Sequence, residues 1–350
     1  MEYRIAFSIG GLSLKNVNFG IIGCGAIAEK HGQALLQLDN ANLVAASDVD
    51  ISKAERFAEK YFTKTASKKV YDDYKEMLRD SSIDAVIVAT PSGMHTQMAL
   101  DALDAGKHVL VEKPLTLNRR DAEALVSKAE IVNRCLGTVH PNRYYETSQI
   151  LKSYVSQGRF GKLSHGVVTL RWNRSQAYYD EASWRKTRNM DGGILFNQAW
   201  HALDLLLWFM GSPVRRTHGI SATRFHDIET EDVVLGTMEF EDGSLGLIEA
   251  TTNVYPKNLE QTVSIFGEKG TAVLGGSRID SFRTWRVEGD DEGAFLAKWG
   301  ENAPRHEPSW AHKQVISEFL SNISHDVVVP DVVLSAVKVI SCISEMLDLD

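Results

Sequence analysis

The chain has 350 residues, which is enough for about two domains that each bury a hydrophobic core. Its net charge of −8 argues against nucleic acid or an anionic membrane surface as the main partner. No apolar run approaches the ~18–20 residues that cross a bilayer. No basic leader with a cleavage site is visible, and the three cysteines lack metal-ligand spacing. We therefore expect a cytoplasmic globular protein that binds no metal.

The first half of the chain alternates short apolar strands with helical patterns, after residues 1–16, to which we assign no role. The predicted strands are Val17–Ile22, Leu43–Asp48, Asp84–Thr90, His108–Val111 and Leu136–Val139. The predicted helices are one that ends near Leu38, Ile51–Tyr61, Tyr74–Arg79, one that ends at Ala105, and Asn118–Asn133. This alternation predicts a doubly wound parallel α/β sheet, whose ligands bind beyond the carboxyl ends of the strands.

The first predicted strand leads into Gly23-x-Gly25-x-x-Ala28, a dinucleotide-binding pattern. Gly23 permits a tight turn, and Gly25 lets the backbone approach a pyrophosphate. Ala28 lets the following helix pack closely on the strand. The N–H groups at the start of that helix, around Ala26 and Ile27, would then face the phosphates. We expect a Rossmann domain.

Asp48 closes the second predicted strand at the position where such domains hold the adenosine ribose. A carboxylate there accepts hydrogen bonds from both ribose hydroxyls and repels a 2′-phosphate, so we predict NAD rather than NADP. The alternative for Asp48 is a simple turn residue.

Polar residues also follow the later strands of the first half. We expect the cofactor to be reached by Thr90, Pro91, His95, Glu112, Lys113, Asn142 and Arg143. Among them Lys113 follows an apolar strand and precedes a proline that fixes the turn. A partly desolvated lysine can have its pKa lowered enough to take a proton. The alternative is a solvated lysine at the rim of the sheet.

The second half changes to β-type patterns, with a hairpin turn at 241–244. The predicted strands are Leu163–Asn173, His218–Arg224, Val233–Phe240, Ser244–Thr252, Thr262–Phe266, Thr271–Leu274 and Phe282–Val287. We expect an α+β domain with a large, mostly antiparallel sheet, a surface loop at 288–308, and helices near Ser309–Ile323 and Val332–Leu347. The predicted domains are 1–143 for the dinucleotide and 144–350 for substrate binding and oligomerisation, with the last helix packing back on the first domain.

A helix is predicted from Asp191, as its N-cap, to Gly211. On one continuous helix Asn197 and His201 stand on the same face, at i and i+4. A polar pair of this kind, beside Gly192 and Gly193, suits the wall of an active site. The alternative is a core histidine bonded to a neighbouring amide.

Three clusters of aromatic and cationic residues precede and follow this helix. Their members are Arg171, Asn173, Tyr179, Arg185, Tyr255, Lys257 and Asn258, which we predict to bind substrate together with Asn197, His201 and Lys113. Such mixtures suit a sugar that carries anionic groups. Each cluster taken singly is also consistent with ordinary surface chemistry.

The order of these motifs resembles a known family. Gly23-x-Gly25, Thr90-Pro91-x-x-x-His95, Glu112-Lys113-Pro114 and Gly192-Gly193 before His201 are similar to the Gfo/Idh/MocA sugar oxidoreductases. Within that family, 171–174, 178–180, 184–185, 197–198 and 255–260 resemble the UDP-N-acetylglucosaminuronate 3-dehydrogenases of the WlbA type. The resemblance implies NAD-dependent oxidation of the C3 hydroxyl of UDP-GlcNAc uronate, a step in making lipopolysaccharide O-antigen sugars. It also implies a homotetramer and, in part of this branch, 2-oxoglutarate as reoxidant.

The resemblance implies that Lys113 and His201 are the catalytic pair, one accepting the proton and one stabilising the alkoxide. In the wider family the position of Asn197 is often an aspartate that orients the histidine. The uncharged Asn197 therefore puts Lys113 marginally ahead of His201 as the base. The rival functions are an inositol or aldose dehydrogenase of the same family and a non-catalytic NAD-binding regulator. A short-chain hydroxy-acid dehydrogenase finds no support in the second half.

Overall fold

The structure, a computed structural model, describes residues 16–62, 69–301 and 303–349, and the unassigned residues 1–15 lie outside this part. Its first sheet has six parallel strands in the order β3-β2-β1-β4-β5-β6. They are β1 Val17–Ile22, β2 Ala41–Ser47, β3 Lys69–Tyr71, β4 Ala85–Val88, β5 His108–Val111 and β6 Leu136–Thr138. The strand order reverses between β1 and β4, so a crevice opens beyond their carboxyl ends. The predicted Rossmann sheet is confirmed, with the three-residue β3 as an additional strand.

Five helices connect these strands. They are α1 Ala26–Leu35, α2 Ile51–Tyr61, α3 Tyr74–Leu78, α4 His95–Asp104 and α5 Arg119–Val132. Asp50, Asp73 and Asn118 cap α2, α3 and α5 by accepting a backbone N–H in the first turn, which explains why these helices begin where they do. Each helix begins within one residue of its predicted start where a start was predicted.

The second sheet has seven strands in the order β13-β12-β11-β7-β10-β9-β8, and only β7 and β10 run parallel. They are β7 Leu163–Arg171, β8 Val214–Ala222, β9 Val233–Phe240, β10 Leu245–Thr251, β11 Glu260–Gly267, β12 Gly270–Gly275 and β13 Ser281–Val287. The predicted, mostly antiparallel sheet is confirmed. Alternate residues of β7, such as Val168 and Leu170, are buried against the helical layer.

The second half also forms helices, several of which pack on strands of this sheet. They are α6 Glu146–Ser156, α7 Gln176–Asp180, α8 Arg188–Asp191, α9 Ile194–Asn197, α10 Trp200–Met210, α11 Glu292–Trp299, α12 Trp310–Ser324 and α13 Asp331–Leu347. Across the described ranges, no helix has the length and hydropathy needed to span a membrane. The predicted surface loop at 288–308 is wrong in its first part, because α11 forms there. Phe295 of α11 stacks on Trp285 with ring centroids 3.9 Å apart, a tertiary contact that local composition does not show.

The single helix predicted from Asp191 to Gly211 is also wrong, because the chain breaks twice. Asp191 ends α8 instead of capping a helix, and Gly192 and Gly193 follow with φ of 82° and 96°. A side chain on Gly193 would overlap the carboxylate of Glu231, so only glycine fits between these helices. The second break, at 198–199, separates α9 from α10.

The two last helices return to the first sheet. Helix α12 packs against α1, and Phe319 lies against Phe19 of β1 with ring centroids 6.3 Å apart. Gly137 of β6 admits this ring, since a Cβ there would lie 2.7 Å from the Phe319 ring. Helix α13 contacts α5 and β6 on one side and β8 on the other. The terminal helices thus hold the two sheets against each other.

Candidate active site

A cleft of about 640 Å³ lies at the carboxyl ends of β1 and β4, where the strand order reverses. Nine residues predicted to contact the cofactor line it: Gly23, Gly25, Ala26, Ile27, Asp48, Thr90, Pro91, Glu112 and Lys113. Lining residues that were not predicted include Lys53, Asp72, Tyr74 and Trp184. The position and lining of the cleft are those of a dinucleotide site.

The two glycines of the fingerprint have different local reasons. Gly23 has φ of 90°, and a Cβ there would lie 2.7 Å from the carbonyl oxygen of Ala89. Gly25 precedes α1 in extended conformation, and a Cβ on it would meet no described protein atom within 4 Å. The backbone at Gly25 can therefore be approached closely, with the free N–H groups of α1 behind it. The loop at Gly25 therefore leaves room for a pyrophosphate at the predicted position.

Asp48 lies on the wall of the same cleft. Its Oδ2 accepts the N–H of Cys24 at 2.9 Å, and its Oδ1 accepts the N–H of Asp50 at 3.0 Å. Two backbone donors thus fix the carboxylate and tie it to the fingerprint loop. A carboxylate has about four acceptor positions, so about two remain for ribose hydroxyls.

Two residues predicted to contact the cofactor have structural partners instead. His95 is buried, with Nδ1 2.8 Å from the Pro114 oxygen and Nε2 2.9 Å from the Thr90 oxygen, so it joins two loops at the rim. Arg143 donates from Nε to Asp204 Oδ2 at 2.9 Å, inside the protein. Both predictions placed the residue at the correct strand end, but the side chain points into the interior.

Glu112 is buried between two histidines. His31 Nε2 lies 2.8 Å from its Oε1, and His312 Nε2 lies 3.6 Å away from the same atom. Burial acts to raise the pKa of Glu112, but the two imidazoles outweigh it and hold the pKa well below its usual range. The three ligand atoms lie within 4.8 Å of one another, as in a metal site.

A metal-bound histidine usually donates its second ring N–H to an acceptor. The Nδ1 atoms of His31 and His312 have no such partner among the described residues. We therefore interpret the two imidazoles as partners that hold a buried carboxylate in place. Glu112 also accepts the backbone N–H of Lys113 at 3.1 Å, so the cluster steadies the turn that carries the lysine.

A second recess of about 290 Å³ meets the dinucleotide cleft at Ile27, Glu112 and Lys113. Both predicted catalytic residues, Lys113 and His201, line it. The other residues that line it include Lys30, Asn142, Tyr145, Trp172, Gln198, Gln261 and Arg278. A substrate in this recess would lie beside Lys113, at the end of the cleft remote from Asp48.

The position of Lys113 depends on the break between α9 and α10. Its Nζ donates to the backbone oxygen of Asn197 at 3.0 Å. Asn197 is the last residue of α9, where carbonyl groups lack a helical partner and the helix dipole is negative. Burial lowers the pKa of Lys113, against the opposing effect of Glu112 and Asp191. A lysine so placed is available to take a proton.

His201 is the second residue of α10 and is partly open to the recess. Burial, and then the charges of Lys113 and His140, lower the pKa of His201 to about 3. An imidazole with this pKa stays neutral at physiological pH. It can hold a hydroxyl by a hydrogen bond but is a weak proton acceptor.

The predicted neighbourhood of Asn197 also differs. Its amide donates to the carboxylate of Asp191, across the turn formed by Gly192 and Gly193. The side chain lines the dinucleotide cleft, while His201 lies in the next helix and lines the recess. The two side chains are therefore not one stack on one helix face.

The structure places most of the other predicted substrate residues away from the recess. Arg171 is paired with Glu249 and with Glu260, at 2.8 Å and 2.7 Å from Nε and Nη1, so its charge is already matched. Tyr179 is buried, with its hydroxyl 3.1 Å from Thr252 Oγ1. Arg185 lies over the rings of Tyr178 and Trp184 and lines the dinucleotide cleft.

The loop that follows β10 was also predicted to bind substrate. Asn258 Oδ1 accepts the backbone N–H of Asn173 at 2.8 Å, and Asn173 Nδ2 donates to the Val254 oxygen, so these amides hold two loops together. Tyr255 is 91% exposed, and Lys257 is exposed beside it. Asn173 and Asn258 therefore stabilise the rim of the second sheet, whereas Tyr255 and Lys257 lie exposed on it.

The cations of the recess come instead from segments far apart in the sequence. Lys30 lies in α1, whereas Arg278 follows the Gly275-Gly276 turn between β12 and β13. An adjoining polar recess of about 290 Å³ shares Ser277 and Arg278 and adds Arg305 and His306. The glycine pair before Arg278 was the one local indication of this turn.

Comparison with known proteins shows two family matches that follow the two sheets. Residues 17–140 match the oxidoreductase family with an NAD-binding Rossmann fold, and residues 148–273 match the GFO/IDH/MocA C-terminal domain. A myo-inositol 2-dehydrogenase of Thermotoga maritima is 28% identical over 288 residues, covering 80% of this chain and 81% of that protein.

Two solved WlbA dehydrogenases, each in complex with NADH and UDP-GlcNAcA, are similar over nearly the whole chain. The enzyme of Bordetella pertussis is 28% identical with a TM-score of 0.84, covering 95% of both chains. That of Chromobacterium violaceum is 29% identical with a TM-score of 0.85, covering 98% of this chain and 96% of its own. Together with the two domain matches and the cleft, these likenesses establish that the chain belongs to the Gfo/Idh/MocA family as an NAD-dependent sugar or polyol dehydrogenase.

Proposed function

We propose that the protein oxidises the C3 hydroxyl of UDP-linked N-acetylglucosaminuronic acid with NAD, as a step in making bacterial surface-polysaccharide sugars. The observation that carries this proposal is the junction at Lys113 between the NAD cleft and a recess that holds Lys30 and Arg278. A nucleotide sugar acid brings a diphosphate and a carboxylate, which need cations that a neutral polyol does not. The WlbA dehydrogenases that the chain resembles were crystallised with such a sugar.

The substrate sugar would lie with its reacting hydroxyl between Lys113 and His201. Bound NAD supplies the hydride acceptor for the alcohol carbon. Lys113, held by the Asn197 oxygen, takes the hydroxyl proton, and the neutral His201 holds the oxygen. Burial is the main cause that lowers the pKa of His201 to about 3, so its imidazole is a poor proton acceptor, and this supports Lys113 as the base.

The anionic groups of the substrate would be held by residues other than those first expected. Arg171 is neutralised by its own carboxylate partners, and Lys257 lies on an exposed loop. We assign Lys30 and Arg278 to the sugar and its diphosphate, with Arg305 in the adjoining recess for the outer part of the nucleotide. The continuity of the two recesses through Arg278 gives an extended ligand a path outward.

An inositol-type substrate is the second candidate, favoured by the likeness to the myo-inositol 2-dehydrogenase. A panel experiment separates the two. NADH formation is followed with UDP-GlcNAc uronate, UDP-GlcNAc, UDP-glucuronate and myo-inositol, each with and without 2-oxoglutarate. We expect the N-acetylated uronate to give the highest kcat/KM, and Arg278→Ala to weaken that substrate far more than myo-inositol.

Higher kcat/KM for myo-inositol, or an equal effect of Arg278→Ala on both, would transfer the proposal to the polyol class. The arm with 2-oxoglutarate tests in-place reoxidation, in which case NADH does not accumulate and the amount of 2-hydroxyglutarate formed exceeds the NAD supplied. Absence of any reduced cofactor across the panel would support a non-catalytic regulator.

We further propose that the protein assembles as a homotetramer through the outer face of its second sheet, in line with the family resemblance of the sequence. Ile220, Leu235, Leu245 and Leu247 lie exposed on neighbouring strands of that face. Exposed apolar clusters of this kind mark interaction surfaces. Light scattering of the purified chain is expected to give a tetramer, and Leu247→Lys is expected to give smaller species. A wild-type monomer would contradict this.

A further inference from the structure

The turn between α8 and α9 contains a buried carboxylate for which the expected pair of Lys113 and His201 has no use. Asp191 is 3% exposed and accepts the amide of Asn197 and, at 3.3 Å, the N–H of Gly193. Asn197 in turn offers its backbone oxygen to Lys113 Nζ at 3.0 Å. One residue thus connects the buried acid with the lysine.

The geometry of this connection is fixed on every side. Gly192 and Gly193, with φ of 82° and 96°, turn the chain so that Asp191 faces the last residue of α9. Glu231 accepts the N–H of Ile194 at 3.2 Å and so holds the start of the same helix. The carbonyl of Asn197 can accept from Lys113 because α9 ends there and offers it no helical N–H. Small shifts of Asp191 would therefore move the lysine's acceptor.

We propose that Asp191 is a positioning residue for Lys113, which holds Asn197 in place and supplies through it the negative charge that the neutral amide lacks. This rests on the proposed role of Lys113 as proton acceptor. As Lys113 takes the proton of the alcohol, its new positive charge forms beside a carbonyl backed by a buried anion. The carboxylate thus lies six residues before Asn197 in the chain.

The electrostatic surroundings fit this role. Burial raises the pKa of Asp191 to about 7, against the hydrogen bonds from Asn197 and Gly193. The charged and titratable groups around it are Lys113, Glu231 with its partner Arg188, and Tyr179. The neighbouring turn at 183–186 adds Arg185 and Lys186, and the turn at 92–94 adds none. Asp191 is thus charged in mildly alkaline solution and neutral in mildly acidic solution.

Asp191→Asn removes the charge and keeps the shape and one of the two acceptor oxygens, as a neutral carboxyl group also does, so the amide of Asn197 keeps its acceptor while the longer contact with the N–H of Gly193 is lost. With the sugar that the wild type oxidises best, we expect kcat to fall about ten-fold near pH 9, while the rates of the two proteins converge below about pH 6. They converge because the wild-type carboxyl is itself neutral there. A merely structural residue would lower the rate by the same factor at every pH.

The control is a charge exchange. Asp191→Asn combined with Asn197→Asp returns a carboxylate to the other end of the same hydrogen bond, and we expect it to recover most of the lost rate. An NMR titration of Lys113, labelled at its side chain, adds a readout that needs no substrate: Asp191→Asn should lower its pKa. This arm remains informative even if the panel of sugars shows no turnover, which would count against the proposed function alone.

A loss of rate that is independent of pH, an exchange variant as slow as Asp191→Asn, or an unchanged Lys113 titration would each overturn the proposal. Thermal melting of each variant shows whether a loss of rate comes from a loss of stability. The folded-state pKa of Asp191 is raised, so charging it between about pH 4 and pH 7 destabilises the fold, and stability falls as pH rises through that window. Asp191→Asn should therefore melt no lower than wild type at pH 8, and a drop of several degrees would indicate a structural role instead.

Discussion

Asp48 offers the sharpest test of how the cleft selects its cofactor. Its carboxylate is fixed by the N–H groups of Cys24 and Asp50 and has acceptor positions left for the ribose. The change Asp48→Asn removes the charge with little change in size. A hydrogen bond to a charged acceptor contributes about 1.5–3 kcal/mol and one to a neutral acceptor about 1 kcal/mol. We expect a net loss of about 1–2 kcal/mol, or a Kd for NADH about five- to thirty-fold higher.

A second effect of this change must be separated from the first. The amide has a single oxygen, so one of the two backbone N–H groups that bind Asp48 loses its acceptor. The resulting loosening of the loop weakens NADH and NADPH alike. The ratio of the two affinities is therefore the quantity to measure, and it should shift toward NADPH because the anion that repels the 2′-phosphate is gone.

The assay is a fluorescence titration of each reduced cofactor against wild type, Asp48→Asn and Asp50→Asn. Asp50 is a matched control, since it is a neighbouring carboxylate that caps α2 through Ser52 and does not line the cleft. Its variant should bind both cofactors like wild type. An unchanged ratio of NADH to NADPH affinity in Asp48→Asn would refute the assignment of the ribose to Asp48.

Two further changes test the scaffold of the site by thermal or denaturant unfolding. Asp204 is buried beside Arg143, and the charges of Arg143 and His140 outweigh burial and hold the pKa of Asp204 well below its usual range. Asp204→Asn should therefore lower the free energy of unfolding by about 3–5 kcal/mol. The stability that this pair gives the wild type should be lost only at strongly acidic pH, where Asp204 takes up a proton. If the free energy of unfolding of Asp204→Asn lay within about 1 kcal/mol of the wild-type value, the buried pair would be contradicted. Gly193→Ala should cost about 2–4 kcal/mol, from its φ of 96° and from overlap with Glu231. The control Gly289→Ala, with φ of 83° and open space around it, should cost less. Equal costs would remove the close packing from the explanation.

Much of the first domain could be predicted because its determinants are local. The strand Val17–Ile22, the fingerprint glycines and the acid after the second strand lie within one continuous stretch. The helix Ile51–Tyr61 and the strand His108–Val111 have the predicted bounds, since an N-cap aspartate precedes the first and an apolar run defines the second. Parallel strands also bring their carboxyl ends to one edge, which placed Lys113 correctly at the rim.

The rest depends on partners distant in sequence. Arg171 was predicted to clamp an anion, but Glu249 and Glu260 from adjacent strands occupy its guanidinium, and sequence alone does not reveal that pairing. The break after Asp191 follows from the close contact of Gly193 with Glu231, which lies forty residues after Asp191 in the chain. Periodicity extends a helix through such a point, because the pattern contains no information on what packs against it.

Lysine-based proton transfer beside bound NAD is the centre of the proposed mechanism, and Lys113→Met tests it most directly. The measurement compares NADH formation from the preferred sugar, and equilibrium NADH binding, in wild type, Lys113→Met and His201→Gln. We expect Lys113→Met to lose about 10²–10⁴-fold in kcat while it binds NADH largely as wild type does, and His201→Gln to lose less. Near-normal turnover by Lys113→Met, or a larger loss in His201→Gln, would contradict Lys113 as the group that takes the proton.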